Sequence, residues 1–315
     1  MPNITPTLAL LALVPFASAH NHEPEAQPTT VQEQLGYPAD AKLLIIHADD
    51  LGLAHSKNLA TFHAMEEGVV TSASVMMTTP WVLEVAHYAQ AHPEADLGVH
   101  LTLTSEWETY KNGPLAGRDQ VPSLVTEHGY FHATVADFAA AADIDQIETE
   151  ARAQIKAAAD SGIAYTHLDG HMGSMLATDE IAQLYIRLGQ EYRVPIRLHQ
   201  HHADAGSPKL QAAAVAMPGK LVQAYGAVPA DYPEGMGAHY DQILRDLQPG
   251  LNILVLHLGY DDLEMQAITV NHPLWGSHWR QIDYDWATAP ETKALIQELG
   301  ITLLDWREVQ EKLFD

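Results

Sequence analysis

Cysteine is absent from the 315-residue chain. No disulfide can staple it, no thiolate can act as nucleophile, and any transition metal must be held by imidazole and carboxylate. Bases are scarce: 16 Lys and Arg stand against 41 Asp and Glu, a formal net charge of −25. Such a surface repels phosphate backbones and anionic lipid, which argues against nucleic acid and favours neutral or cationic substrates. After the first twenty residues no apolar run approaches the roughly 18 residues of a bilayer span, so no membrane insertion is expected.

Imidazole, by contrast, is plentiful, with 19 histidines. Hydrophobic residues make up 47% of the chain, enough for a sizeable core. Residues 1–19 read as an export signal, with an apolar stretch from Leu8 to Phe16 and a small-residue cleavage site at Ala17-Ser18-Ala19. The expectation is a periplasmic or extracellular protein. Cleavage after Ala19 would expose His20-Asn21-His22, whose amine and imidazoles can bind copper or nickel, although a floppy polar leader is the plainer reading. Residues 20–40 are rich in Pro, Gln, Glu and Thr and form a leader or surface wrap ahead of one domain over 41–315.

Leu43-Leu-Ile-Ile-His-Ala-Asp-Asp-Leu-Gly52 is an apolar run that ends in two carboxylates and a glycine. Such a run predicts a strand buried on both faces, as in parallel sheets. Helical spacing follows over 56–68, then a strand over 69–76, a helix over 80–92 and a strand over 96–103. Residues 104–132 break the rhythm with Gly, Pro, Trp107 and Tyr110. A long loop after a strand is a candidate lid or binding loop. Its Trp107 and Tyr110 can stack on a sugar ring or simply pack the loop down. Beyond it lie one long helical pattern over 134–161, a strand over 163–168, a helix over 178–192 and a strand over 194–199. Residues 200–235 are less regular, with a helical piece near 208–215. A helix over 241–247, a strand over 251–257, a loop over 258–285, a helix over 291–298, a strand over 301–304 and a closing helix complete the chain. The fold class is therefore α/β: a distorted TIM-like barrel of about seven parallel strands with surrounding helices.

In such a barrel the C-terminal strand ends share one face. Those ends carry Asp49 and Asp50, His100, His167 with Asp169 and His171, Arg197 with His199, and His257. Asp50, His100 and His171 together make one carboxylate and two imidazoles, a set suited to zinc, iron, nickel or manganese. Asp49 could take a proton from water, Arg197 could hold Asp49 ionised, and His257 could protonate a leaving group. Asp169 reads as a partner that orients a ligating histidine, or as a turn former. His199 is a candidate substrate contact, although His199, His201 and His202 together also fit a solvated loop. His47, inside its strand, is expected to pack.

Asp49-Asp50-Leu-Gly, Gly68-Val-Val-Thr-Ser-Ala-Ser-Val-Met76, Asp96-Leu-Gly-Val-His-Leu-Thr-Leu103 and Thr166-His-Leu-Asp-Gly-His171 resemble, in order and spacing, the YdjC-like carbohydrate deacetylases. The resemblance runs over roughly residues 41–310. It implies a distorted barrel related to polysaccharide deacetylases and metal-dependent removal of an acetyl group from an N-acetylated amino sugar. The functional expectation is therefore a deacetylase of an N-acetylated amino sugar or oligosaccharide, with an O-acetyl group as the variant. It places the ligands at Asp50, His100 and His171, the base at Asp49 and the acid at His257. The cofactor implied is a divalent metal, zinc foremost, with Mg, Mn, Ni or Co admitted. Two positions depart from the family pattern: Met172-Gly-Ser-Met follows the fourth-strand histidine, and Leu-Gly rather than Pro follows His257. Two other readings use the same barrel. One is a glycoside hydrolase built on Asp49 with Asp169, or on acids at 261–264. The other is a sugar-binding protein without turnover.

Overall fold

The strand predicted from the Leu43 run is the centre of the sheet. In the computed structural model, which describes residues 30–215, 217–221, 223–226 and 236–314, β1 (Lys42–Leu51) is buried from Leu43 onward. Around it stand β2 (Ser72–Val75), β3 (Leu97–Leu101), β4 (Leu168–Gly170), β5 (Gln223–Tyr225), β6 (Gly250–Leu256) and β7 (Thr302–Leu303). The order is β4-β3-β2-β1-β6-β5, and every pairing is parallel. β6 follows one edge of β1 from Lys42 to Ala48. The other edge is shared: β7 pairs with Leu43 and Leu44, β2 with His47, Ala48 and Leu51. Isolated parallel bridges, Leu168 to Ile196 and His199 to Leu221, span the gap from β4 toward β5.

The helices are α1 (Val31–Gln34), α2 (His55–Glu66), α3 (Val82–Ala91), α4 (Val135–Ala141), α5 (Ile144–Asp160), α6 (Asp179–Tyr192) and α7 (Gln200–Ala205). They continue with α8 (Pro208–Val215), α9 (Gly237–Asp246), α10 (Leu263–Ile268), α11 (Ser277–Thr288), α12 (Pro290–Glu298) and α13 (Trp306–Leu313). α6 shows the local logic. Thr178 caps it through the Ile181 amide at 3.3 Å, Ile181, Leu184, Tyr185 and Leu188 form its buried face, and Arg193 ends it in the left-handed region at φ 56°. Truncating Leu184 to alanine would cost about 2–5 kcal/mol. No helix among the described residues is long and apolar enough to cross a membrane.

The apolar core lies between sheet and helices, while part of the sheet's inner face is polar. His47, Ser72, Ser74, Asp96, His100, His167 and Asp169 are all at most 2% exposed. A barrel interior is usually filled by branched aliphatic residues, so this polar filling needs a complete set of hydrogen-bond partners.

Several expected boundaries move. The single helix over 134–161 is two helices, because Asp143 accepts the Asp145 and Gln146 amides and starts α5. Residues 194–199 form no strand and make only the isolated bridges, and the fifth strand is Gln223–Tyr225, in the stretch the periodicity left irregular. Residues 258–285 contain α10 and most of α11 rather than only loop. The signal segment and His20-Asn21-His22 lie outside the described residues. Residues 30–40 wrap onto the end of the chain: Leu35 is buried and Tyr37 Oη bonds Glu308 Oε1 at 2.7 Å.

Candidate active site

The β1–β2 register breaks between Ala48 and Leu51, and Asp50 takes φ 66°. A break of this kind re-aims a side chain, and a non-glycine residue held there stores about 1–3 kcal/mol of strain. The turn is closed at Gly52, whose amide donates to Asn58 Oδ1 at 2.8 Å. Gly52 has φ 91°, and a Cβ there would stand 2.9 Å from Thr79 Oγ1. Asp49 and Asp50 therefore leave one strand toward different partners.

Asp50 Oδ1 faces His100 Nε2 at 3.4 Å and His171 Nδ1 at 3.3 Å, and those two nitrogens lie 3.3 Å apart. All three residues are buried. Asp50 Oδ1 nonetheless has no hydrogen bond of its own. Three donor atoms thus converge, and the carboxylate oxygen among them has no hydrogen bond, as a cation site requires. The remote atoms are held. His100 Nδ1 is 3.2 Å from Asp169 Oδ2 and 3.0 Å from Ser74 Oγ, His171 Nε2 is 3.0 Å from Glu106 Oε2, and Asp50 Oδ2 accepts from Arg280 Nη1 at 3.1 Å. A carboxylate on the far nitrogen fixes the tautomer that points the other nitrogen at a metal. Burial opposes charge on His100, but Asp49 and Asp169 raise it to about 9; burial also opposes charge on His171, but Glu106 and Asp50 raise it to about 10. A bound cation would replace those protons. The donor set and its geometry fit a divalent metal.

Beside this trio, Asp49 meets Arg197 Nη1 at 3.1 Å and His257 Nε2 at 3.8 Å, both through Oδ2. Burial would raise Asp49, but the Arg197 guanidinium, with His100 and His47, holds the carboxyl below its ordinary range. Burial pushes His257 down to about 4, so its ring is neutral at neutral pH. Its backbone amide donates to Asp283 Oδ2 at 2.7 Å, and its ring stands edge-on to Trp275 at 4.8 Å. Asp49, Asp50, His171, Arg197, His257 and Trp275 line a cavity of about 530 Å³. Two of the three residues that could hold a metal, and a carboxylate with a neutral imidazole beside it, open onto one space large enough for a sugar-sized ligand.

The profile of the "YdjC-like protein" family matches residues 43–298. The chain belongs to the YdjC-like family. A carbohydrate deacetylase of Thermus thermophilus is 34% identical over 290 residues, covering 90% of this chain and 98% of the relative. One from Thermoanaerobacter pseudethanolicus is 27% identical over 232 residues, 73% of this chain and 86% of the relative. An Enterococcus faecalis crystal structure, of a protein named for cellobiose-phosphate cleavage, superposes with TM-score 0.69 at 25% identity, over 85% of this chain and 99% of that one. The distorted, parallel-stranded barrel expected of a YdjC-like chain is the fold observed.

Within this YdjC-like site the structure brings together Asp49, Asp50, His100, His171, Arg197 and His257. Asp169 lies between His100 and Arg197, whose Nε is 2.8 Å from its Oδ1. His199 lines the cavity, and burial followed by the Arg197 charge lowers it to about 4. Trp107 offers no stacking face: it is 1% exposed and lies on the His171 ring at 5.8 Å. Tyr110 is turned away, its hydroxyl donating to the Leu53 carbonyl at 2.7 Å. These two aromatics pack the loop down, because its apolar side chains are covered by Leu53, Met76 and Met265. His167 precedes β4 rather than ending a strand, and stacks on Trp306 at 5.5 Å, away from the cavity. Sequence reasoning missed Glu106, Arg280 and Asp283. Glu106 carried a faint signal, since it sits in the long loop just after the strand that supplies His100. Arg280 and Asp283 gave none, because they lie on a helix in a stretch read as loop.

Proposed function

We propose that this chain is a metal-dependent carbohydrate deacetylase that hydrolyses the acetyl amide of an N-acetylated amino sugar in an oligosaccharide. The observation that carries the reading is the convergence of Asp50, His100 and His171 beside an ionised Asp49, in a chain whose relatives are named carbohydrate deacetylases. Asp50 Oδ1, His100 Nε2 and His171 Nδ1 would hold the ion, with zinc the first expectation. Bound there, a divalent cation supplies carbonyl polarisation and easier deprotonation of water.

The chain's own residues handle the protons. Water's oxygen bonds the acetyl carbon and the C–N bond breaks. Asp49 accepts a proton from that water, held ionised and oriented by Arg197. His257 is neutral at rest, so the proton it gives the departing nitrogen is the one Asp49 has taken. The 3.8 Å between Asp49 Oδ2 and His257 Nε2 is a gap that the substrate nitrogen or a water can bridge. Acetate and an amino sugar leave. Both oxygens of Asp169 are occupied, Oδ1 by Arg197 Nε and Oδ2 by His100 and His47, which makes it a poor second carboxylate for glycosidic cleavage. Export follows from the leader sequence, and mass spectrometry of the N-terminus from a cell-free fraction, expected to start near His20, tests it.

The deciding assay is acetate release from acetylated oligosaccharides with defined metals. Acetate should appear, a chelator should abolish it and zinc should restore it. Asp49→Asn should lower kcat by about 10²–10⁴-fold with metal still bound. New reducing ends in place of acetate would sink the reading, as would unchanged metal content in Asp50→Ala or His171→Ala.

A further inference from the structure

Under the floor of the cavity lies a second group of residues with the appearance of a metal site. His47, Asp49 and Asp169 present donor atoms within 4.8 Å of one another, and all three are buried. His47 Nε2 is 3.2 Å from Asp49 Oδ1, 3.3 Å from Asp169 Oδ2 and 3.1 Å from Ser74 Oγ. Its Nδ1 is 3.2 Å from Ser72 Oγ. Ser72 in turn donates its hydroxyl to Asp96 Oδ1 at 2.5 Å, at the opposite end of the barrel from the cavity.

Counting protons along this chain decides what His47 is. A hydroxyl has one hydrogen. Ser72 gives that hydrogen to Asp96, so its oxygen can only accept from His47, and Nδ1 must be a donor. At the other nitrogen two carboxylate oxygens converge. Ionised carboxylates only accept. A lone pair on Nε2 could take the single Ser74 hydrogen at 3.1 Å but would still face both carboxylates at 3.2 and 3.3 Å, so the geometry calls for a proton on Nε2 as well. We propose that His47 is a standing imidazolium, a positioning residue that fixes the Asp49 and Asp169 carboxylates from beneath and closes this second cluster to metal.

Further points agree. Arg197 bonds the same two carboxylates from the cavity side, so two cations match two anions with no charge left for a metal ion to balance. Burial opposes charge on His47, yet Asp169 and Asp49 outweigh it and raise its proton affinity. Burial raises Asp96 to about 6, which leaves it ionised and accepting from Ser72 above that pH. The Arg307 amide, donating to Asp96 Oδ2 at 2.6 Å, supports the same ionised form. The reach is from Asp96, remote from the cavity, through Ser72 and His47 to Asp49. The importance of Asp49 rests on the proposed deacetylase reading, but the protonation of His47 does not.

The test is the nitrogen-15 spectrum of the histidine rings in the zinc-loaded full chain near pH 8, with His47 assigned by its disappearance in His47→Gln. Two nearly equal, imidazolium-like shifts are expected, in contrast to the widely split pair of a neutral ring. A widely split pair would overturn the proposal. Metal content under excess zinc gives a second reading. One ion per chain is expected, and a second ion that is lost in His47→Gln would overturn the proposal. His47→Gln, which keeps a donor but loses the charge, should retain that one ion and the substrate KM while kcat falls at least tenfold. An unchanged kcat would remove the positioning role. Because the ring spectrum and the metal count involve no substrate, their failure would leave the deacetylase reading standing.

Discussion

Arg280 Nη1 donates to Asp50 Oδ2 at 3.1 Å, across 230 residues of sequence, and so anchors one oxygen of the carboxylate whose other oxygen faces two imidazoles. Both partners are nearly sealed from solvent, at 3% and 1% exposure. Removing the guanidinium would leave a buried carboxylate oxygen unpaired and free to rotate. Arg280→Met should therefore weaken zinc binding by about 10–100-fold, read by competition with a coloured chelator. Unchanged affinity would show that Asp50 needs no anchor.

Glu106 offers a gentler version of the same experiment. Its Oε2 holds His171 Nε2 at 3.0 Å from the loop side. Glu106→Gln keeps a hydrogen-bonding group of similar shape but removes the charge that supports the ring. A loss of roughly tenfold in zinc affinity is expected, smaller than for His171→Ala.

Arg197 sets the pH range of the proposed base. Burial alone would raise the Asp49 carboxyl, and the guanidinium is the largest of the charges that, with His100 and His47, reverse that. Without it Asp49 keeps its proton to higher pH, so the base form is lost at pH values where the parent enzyme still works. The acid limb of the kcat/KM profile of Arg197→Met should move to higher pH, with about 10²-fold lower activity near neutrality. A limb that stays in place would assign it to another group.

Trp107 is a matter of stability rather than substrate affinity. It is 1% exposed, against His171 and Tyr110. Trp107→Ala should cost about 3–5 kcal/mol in urea unfolding. A large rise in KM with unchanged stability would restore it as a stacking residue.

A last expectation concerns acid. Glu148 joins α5 to α6 by accepting from both nitrogens of Arg187, at 2.8 and 2.7 Å, and from Arg152 on its own helix at 2.7 Å. Hydrogen bonds to Arg187 and Arg152 lower its pKa to about 2. A carboxyl whose folded value is depressed stabilises the fold above its unfolded value and ceases to as pH falls through the folded one. Glu148→Gln should lower the urea midpoint at about pH 7, and the gap to the parent should close as pH drops from about 4.5 toward about 2. A gap that persists in acid would point to lost packing instead of lost charge.

The sequence alone determined the parts that depend on near neighbours and on the direction of the sheet. The apolar run before Asp49 makes a buried strand wherever it folds, and parallel strands carry their C-terminal residues to one face. That is why Asp50, His100 and His171 fall into one group on the sequence alone. Tertiary structure decided what depends on ångström distances between residues far apart in the chain. It turned Trp107 inward, supplied Glu106 and Arg280 from a loop and a helix that periodicity does not register, and placed His47 between two carboxylates and a spent hydroxyl. A histidine inside a strand reads the same in sequence whether it is neutral or charged, because its protonation is set by which atoms face its two nitrogens, and only the fold brings those atoms there.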